Sequence, residues 1–520
     1  MTTEKSIKER LRLGFMLAGR YISPALLAAL GVLLITGFAL FVPPYIGVAD
    51  NGDFFRSIYS EGLYFNLPDY DSQRFGYFVK QYGIYQYFNE NGTTIVSSQS
   101  LFIKAALLLN QLLFSSVVFD IRFQALLFTL LLTAAVYLLV EALTWKIARK
   151  HGYLIALLAI FMFGDTGYTA YFSSFFGESI VYVMMLFVFA SWLLLYRKRY
   201  NDYALLALFV ISTLILTTSK QQNAPVGIIV ACMAVVLLWV RKEKLFRLLT
   251  AGSLVLLFVS GVATYAMISK EFVNINQYHA MTRGVLMQSA NPEDTLKSFE
   301  IDKQYAILKG SIFYEPYATV DVNSPMLEKD FYSRYGFASI LTYYVTHPDK
   351  LSSMLNVAAK DAFTIRPNAM GNYEASAGKP FGTHAGFFSG YSVMKKGLSP
   401  KTYGFIVIWI VVLVGLYMPS FLAAFRARDP RLAQRLILIV TMIFIGLAGI
   451  LVSIIGAGDA DLAKHEFLFT VAFDLVTFMA VSDILSRRLM RNHEYAADEA
   501  DKIRTGTGKG GNALAQHPSL

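Results

Sequence analysis

The sequence predicts an all-α polytopic membrane protein of about ten transmembrane helices, and three observations carry that prediction. Of the 520 residues, 55% are hydrophobic and only 16% carry charge, well below the roughly 25% of a soluble domain. Apolar runs close to the length of about 20 residues that crosses a bilayer recur from end to end. Lys and Arg gather in alternate junctions between those runs, the pattern that orients membrane helices.

The first run, 22–43, ends at Val42-Pro43-Pro44. It is too long for a signal-peptide core and lacks a small-residue cleavage site, so it reads as a retained anchor. The others are 123–145, 152–163, 179–196, 203–218, 225–240, 247–268, 403–425, 436–455 and 467–485. Basic junctions such as Lys146-Arg149-Lys150, Arg197-Lys198-Arg199 and Arg241-Lys242-Lys244 alternate with loops poor in positive charge, which hold none in 164–178, Lys220 alone in 219–224 and Lys464 alone in 457–466. The positive-inside rule then puts both termini in the cytoplasm. Segment 1–21 reads as a cytoplasmic N-terminal stretch, and 486–520 as a polar, Gly-rich, disordered cytoplasmic tail.

Leu101 to Phe119 is also apolar, but counting it as a span would reverse every basic junction downstream. It carries Lys104, Asn110 and Gln111, and reads as an amphipathic helix on the outer surface. The chain therefore divides into a transmembrane core, 22–268, with a long first outer loop at 44–122. A large extracytoplasmic loop of short helices follows at 269–402, with a break expected at His347-Pro348, and then the C-terminal membrane helices, 403–485.

The net charge of +10 lies in short loops between membrane runs, so it points to orientation in a membrane and not to nucleic acid. A single cysteine, Cys232, allows no intramolecular disulfide. There is no Walker loop, zincin motif, cysteine pair or dinucleotide fingerprint, so no cofactor is implied. A divalent metal stays open, because Asp50 and Asp53 have an Asp-x-x-Asp spacing.

Polar residues gather where the loops poor in positive charge meet the spans. Asp50-Asn51-Gly52-Asp53-Phe54-Phe55-Arg56 follows the first run directly. Carboxylates at a lipid interface are costly to desolvate and mark functional sites, although the two acids also suit a helix cap beside an Asn-Gly turn. The next loops offer Asp165, Tyr171 and Glu178, then Lys220 and Gln221, then Lys464 and His465. Glu178 suits either a buried cap or a sugar-hydroxyl acceptor. Lys220 suits either a snorkelling lysine or a phosphate ligand, and Lys464 and His465 carry the same alternatives. If the spans bundle, these loops meet over one cavity.

The strings Asp50 to Phe54, Tyr171 to Glu178, Ser219-Lys220-Gln221 and Arg366-Pro367-Asn368-Ala369-Met370-Gly371-Asn372-Tyr373, with an acidic motif straight after span one, resemble the GT-C glycosyltransferases. They are most similar to bacterial glycan-biosynthesis hexose transferases of the WsfD-like type. The resemblance implies inverting transfer of a hexose from a polyprenyl-phosphate-linked sugar to a glycan or lipid acceptor outside the cytoplasmic membrane. It implies an aspartate base, Asp53 or Asp50, and donor-phosphate ligands among Lys220, Lys464, His465 and Arg366. Glu178, Asp165, Tyr171 and Gln221 are then candidates for binding the sugar or acceptor. The familiar paired acids are here split by Asn-Gly. Two rival readings are a polymerase or ligase using a diphosphate lipid and a transporter of lipid-linked or anionic substrates.

Overall fold

The computed structural model describes residues 22–92 and 96–489; the expected cytoplasmic N-terminal segment and most of the expected tail lie outside them. Each of the ten predicted runs is helical. Among the described residues, eight helices are long and apolar enough to cross a membrane. The other two fall short by length. Arg149–Phe163 bends by 44° into a second piece, Thr166–Ser173, and Asp202–Thr218 has 17 residues. The protein is an all-α polytopic membrane protein.

Local chemistry sets several helix ends. Ser23 caps Pro24–Phe41, its hydroxyl accepting from the Leu26 amide at 3.1 Å, and Pro24 supplies the preset backbone angle favoured at a first helical position. Asn201 caps Asp202–Thr218, and Asp429 caps Pro430–Ala457. These polar residues satisfy amides that a helix start leaves without partners.

Glu178–Arg197 is buried along its whole length, as expected of a helix apolar on every face. It packs against Arg122–Thr144, Asp202–Thr218, Pro430–Ala457 and Phe467–Leu485. Tyr403–Arg426 and Lys244–Ala266 lie at the rim, with Leu, Val and Ile pointing outward. Ala224–Met233 approaches Lys244–Ala266 closely through glycine. A Cβ on Gly227 would lie 2.5 Å from the Leu257 carbonyl oxygen, and one on Gly261 would lie 2.7 Å from that of Ala224. Small residues permit this contact where burial in lipid supplies little drive.

The loops poor in positive charge collect at one end of the bundle and the basic junctions at the other. At the basic end Arg199 pairs with Glu141 at 2.7 Å and Arg241 with Asp202 at 2.7 Å, while Arg488 donates to the Leu143 carbonyl. The apolar stretch after the first loop forms Gln99–Leu113, which buries Ile103, Ala106 and Asn110 and exposes Leu101, Leu108 and Leu112. A small antiparallel sheet that the sequence did not announce joins Leu63–Tyr64, Gln81–Ile84 and Val118–Asp120. Strands of two to four residues are too short to display an alternating pattern.

Segment 269–402 is a set of short helices with its own aromatic core, built around Tyr278, Phe331, Tyr335 and Tyr344 and seated on Ile450, Ile454 and Phe469. The break at His347-Pro348 separates Phe337–Thr346 from Pro348–Asp361.

Candidate functional site

The turn after the first span is organised by Asp50. Its Oδ1 accepts from the amides of Gly52 at 2.8 Å, Asp53 at 2.9 Å and Phe54 at 3.2 Å, and its Oδ2 accepts from the Tyr70 hydroxyl at 3.0 Å. Gly52 sits at φ +98°, a left-handed angle glycine adopts at little cost. The turn delivers Asp53 to the start of the short helix Phe54–Ile58, whose Phe54 is anchored on Phe175 and Phe176. Asp50 therefore faces inward as a turn former, and Asp53 faces the cavity. Asp50→Ala removes a carboxylate that accepts from three amides. Loss of a helix cap costs about 1 kcal/mol, up to about 2, and loss of this turn-forming carboxylate is expected to lower the melting temperature by a comparable stability change, read by differential scanning fluorimetry.

Asp53 sits between two cations. Arg56 Nη1 donates to its Oδ1 at 2.5 Å, and Lys464 Nζ donates to its Oδ2 at 2.8 Å. Burial pushes the Asp53 carboxyl up, but the Lys464 ammonium and the Arg56 guanidinium outweigh it and hold the group well below the usual carboxylate range. Burial likewise works against the Lys464 ammonium, and Asp53, Asp461 and Glu178 together raise it above the ordinary lysine value.

Lys464 is delivered by a turn that depends on Gly458, at φ +61°. A Cβ there would meet the Gly284 nitrogen at 2.5 Å. The turn places Lys464 3.7 Å from Asp461 Oδ2 and 4.5 Å from the Phe176 ring centroid. Asp461 lines the same cavity, and burial raises its carboxyl while the Lys464 charge pulls it back. Lys220 pairs with Glu178 over Gly177, where a Cβ would come within 2.7 Å of the Lys220 Cε. Glu178 is fully buried behind that lysine.

His465 Nδ1 lies 2.8 Å from Gln222 Oε1. From the large loop, His279 Nε2 accepts from the Phe313 amide at 2.9 Å and Tyr314 takes a hydrogen bond from Arg56 Nη2 at 2.7 Å. Burial, then neighbouring positive charge, lowers His465 to about 4, so it stays neutral near pH 7. A folded-state value below the unfolded 6.5 means that the unfolded chain takes up the proton first. The stability His465 contributes is therefore complete above pH 6.5 and is lost as pH falls through about 4. Thermal melts of the wild type and His465→Gln across that window are expected to converge as pH falls.

These groups surround a cavity of about 720 Å³. Asp53, Arg56, Lys220, Gln221, Lys464 and His465 all line it. A second wall is apolar, formed by Tyr265, Ile268, Leu341, Val452 and Ile455. Tyr265 is 58% exposed and Leu341 48% exposed, so this wall reaches the outer surface of the helices.

Five predicted residues, Asp50, Asp165, Tyr171, Glu178 and Arg366, lie elsewhere than the cavity wall. Asp50 forms the turn described above. Asp165 caps Thr166–Thr169 and accepts from the Gly167 amide at 2.7 Å and the Ser392 amide at 2.9 Å. Tyr171 is buried, its hydroxyl donating to the Ile365 carbonyl at 3.2 Å. Arg366 is buried and donates through Nη1 to Asn372 Oδ1 and the Ala385 carbonyl, both at 2.9 Å. The string around it is stitched under the first loop, where the Gly47 amide donates to the Asn372 carbonyl and the Ala49 amide to the Gly371 carbonyl. Glu178 reaches the cavity only through Lys220. Asp461, His279 and Tyr314 were not among the predicted site residues. Asp461 was readable from its polar loop, whereas His279 and Tyr314 come from a segment with no motif.

The residues present do not form a metal cage. Asp50 turns its oxygens to backbone amides and Asp53 to cations, and among the described residues no group of three or more His, Cys, Asp or Glu side chains could hold an ion.

Fold and site together define a class: a polytopic helical membrane protein with a charged cavity at one end of the bundle and an apolar wall leading into it. The chain belongs to the YfdI N-terminal transmembrane domain family, whose model matches residues 4–505. Comparison with curated proteins and with solved structures gave no match.

Proposed function

We propose that this protein is an inverting hexosyltransferase that moves a sugar from a polyprenyl phosphate to a glycan or glycolipid acceptor on the outer face of the cytoplasmic membrane. The observation that carries the reading is the shared cavity, in which an acid and two lysines meet an apolar wall open to the lipid side. The basic junctions at the opposite end support cytoplasmic termini and an outward-facing cavity.

The prenyl chain lies along Ile268 and Leu341, and its phosphate meets Lys464 and Lys220. The acceptor oxygen bonds to the anomeric carbon from the side opposite the phosphate, and Asp53 takes its proton. The bond from the anomeric carbon to the phosphate oxygen breaks, and polyprenyl phosphate leaves with the electron pair, its charge held by the lysines. A carboxylate clamped by two cations is a weak base. A donor phosphate that shares Lys464 loosens that clamp and raises the proton affinity of Asp53, so donor binding arms the base.

The charge balance favours one phosphate over two. Arg56, Lys220 and Lys464 are matched by Asp53, Asp461 and Glu178, so no surplus positive charge remains and a monophosphate brings less uncompensated negative charge than a diphosphate. Purified protein in proteoliposomes is therefore expected to turn over a polyprenyl-monophosphate hexose and not the matching diphosphate. Turnover of the diphosphate alone supports the polymerase reading, and sugar-lipid flux without covalent transfer supports a transporter.

A further inference from the structure

Besides its charged floor and apolar wall, the cavity has a third sector that the donor chemistry leaves unused. It lies between the turn of helix carrying Ser57 and Ser60 and the start of Gln99–Leu113, which carries Ser100. The two helical segments pack against each other, and Lys104 and Glu61 pair across them at 3.4 Å, so the sector carries no net charge at its rim. Ser57, Ser60 and Ser100 are half-buried and line the cavity. Their hydroxyls hydrogen-bond to no other described residue, whereas the neighbouring Ser97 and Ser98 are committed to the Ser219 and Ile215 carbonyls at 2.6 and 2.7 Å.

We infer that this hydroxyl-lined sector is the acceptor subsite and that the acceptor is an uncharged carbohydrate. Half-buried hydroxyls with unused donors and acceptors match a sugar's own alternating hydroxyls, and a site built this way rejects molecules lacking them. An anionic acceptor would be drawn to Lys220 and Lys464 instead. A lipid chain would leave three hydroxyls desolvated without partners. The position fits the chemistry: Ser57 and Ser60 lie one and two turns beyond Asp53 on the same segment, so an acceptor held there presents its hydroxyl to the base. The apolar wall stands on other elements, at Tyr265, Ile268 and Leu341. The inference rests on the transferase reading and divides its cavity into acceptor and donor sides.

The test is protection from maleimide labelling in a Cys232→Ala background. Ser57→Cys and Ser100→Cys report on the acceptor side and Leu341→Cys on the donor side; Ser60→Cys replaces either serine variant that fails to fold. The probes are delipidated envelope polysaccharide from the source cell and sugar-free undecaprenyl phosphate, each well above its half-saturating concentration. Polysaccharide at ten times its dissociation constant is expected to slow labelling of Ser57→Cys and Ser100→Cys about tenfold and to leave Leu341→Cys unchanged. Undecaprenyl phosphate is expected to do the reverse. Unprotected serine positions in the presence of polysaccharide, or protection of them by undecaprenyl phosphate, overturn the assignment. Failure of undecaprenyl phosphate to protect Leu341→Cys sinks the donor reading instead, and the serine positions read independently of it.

Discussion

Asp53→Asn is expected to lower hexose transfer by about 10²–10⁴-fold, the usual contribution of a general base, while the protein folds and still binds polyprenyl phosphate. The amide keeps the volume of the carboxyl but cannot take the acceptor proton. It also loses the charge that engages Lys464 at 2.8 Å and Arg56 at 2.5 Å. The freed lysine is then available to the donor, so affinity for sugar-free undecaprenyl phosphate is expected to stay equal or rise while turnover collapses. A purely structural role would lower both together. Radiolabelled transfer measured beside equilibrium binding separates the two outcomes, and full turnover by Asp53→Asn removes that residue as the base.

Lys395→Met is expected to cause the largest loss of stability. Lys395 and Asp474 form an ion pair at 2.6 Å, with side chains 2% and 1% exposed. The lysine also donates to the Thr470 carbonyl at 3.0 Å, and Tyr168 donates to Asp474 at 2.5 Å. The pair pins the short helix Gly390–Leu398 into the bundle against Phe467–Leu485. Removing one partner leaves a charge buried without compensation, which costs about 3–5 kcal/mol. Replacing both, as Lys395→Met with Asp474→Leu, is expected to recover part of that loss, because no charge is then left uncompensated, while the buried Tyr168 hydroxyl loses its acceptor. Melts of the wild type and both variants in one detergent check this, and a Lys395→Met melting temperature equal to that of the wild type would show that the pair carries little of the stability.

The architecture was legible because its cause is compositional. Lipid demands long apolar helices, and loop charge sets their order, so ten helical runs and their alternating ends could be read directly. The position of each helix in the bundle could not, because Glu178–Arg197 at the centre and Tyr403–Arg426 at the rim are alike in apolar content. The site was legible by loop more than by residue. Asp53, Lys220, Gln221, Lys464 and His465 reach the cavity wall, but Asp50, Asp165, Tyr171 and Arg366 have polar groups committed to holding loops together. A buried polar group in such a framework and one facing a cavity look the same in sequence, since both stand at the mouth of a span. Only the direction of hydrogen bonding separates Asp50, turned to amides, from Asp53, turned to cations. Of the hydroxyls in the serine sector, Ser57 and Ser60 share one segment and Ser100 comes from another helix, and nothing in the chain's pattern links the two.

The central claim is that Asp53, Lys220 and Lys464 face the head group of one lipid-linked sugar. A structure of the full chain with a non-transferable polyprenyl-phosphonate hexose tests it most directly. The phosphonate is predicted to pair with Lys464 and Lys220, with the anomeric carbon facing Asp53 and the prenyl chain along Ile268 and Leu341. A head group held at the basic end of the bundle, beside Arg199 and Arg241, would contradict the account.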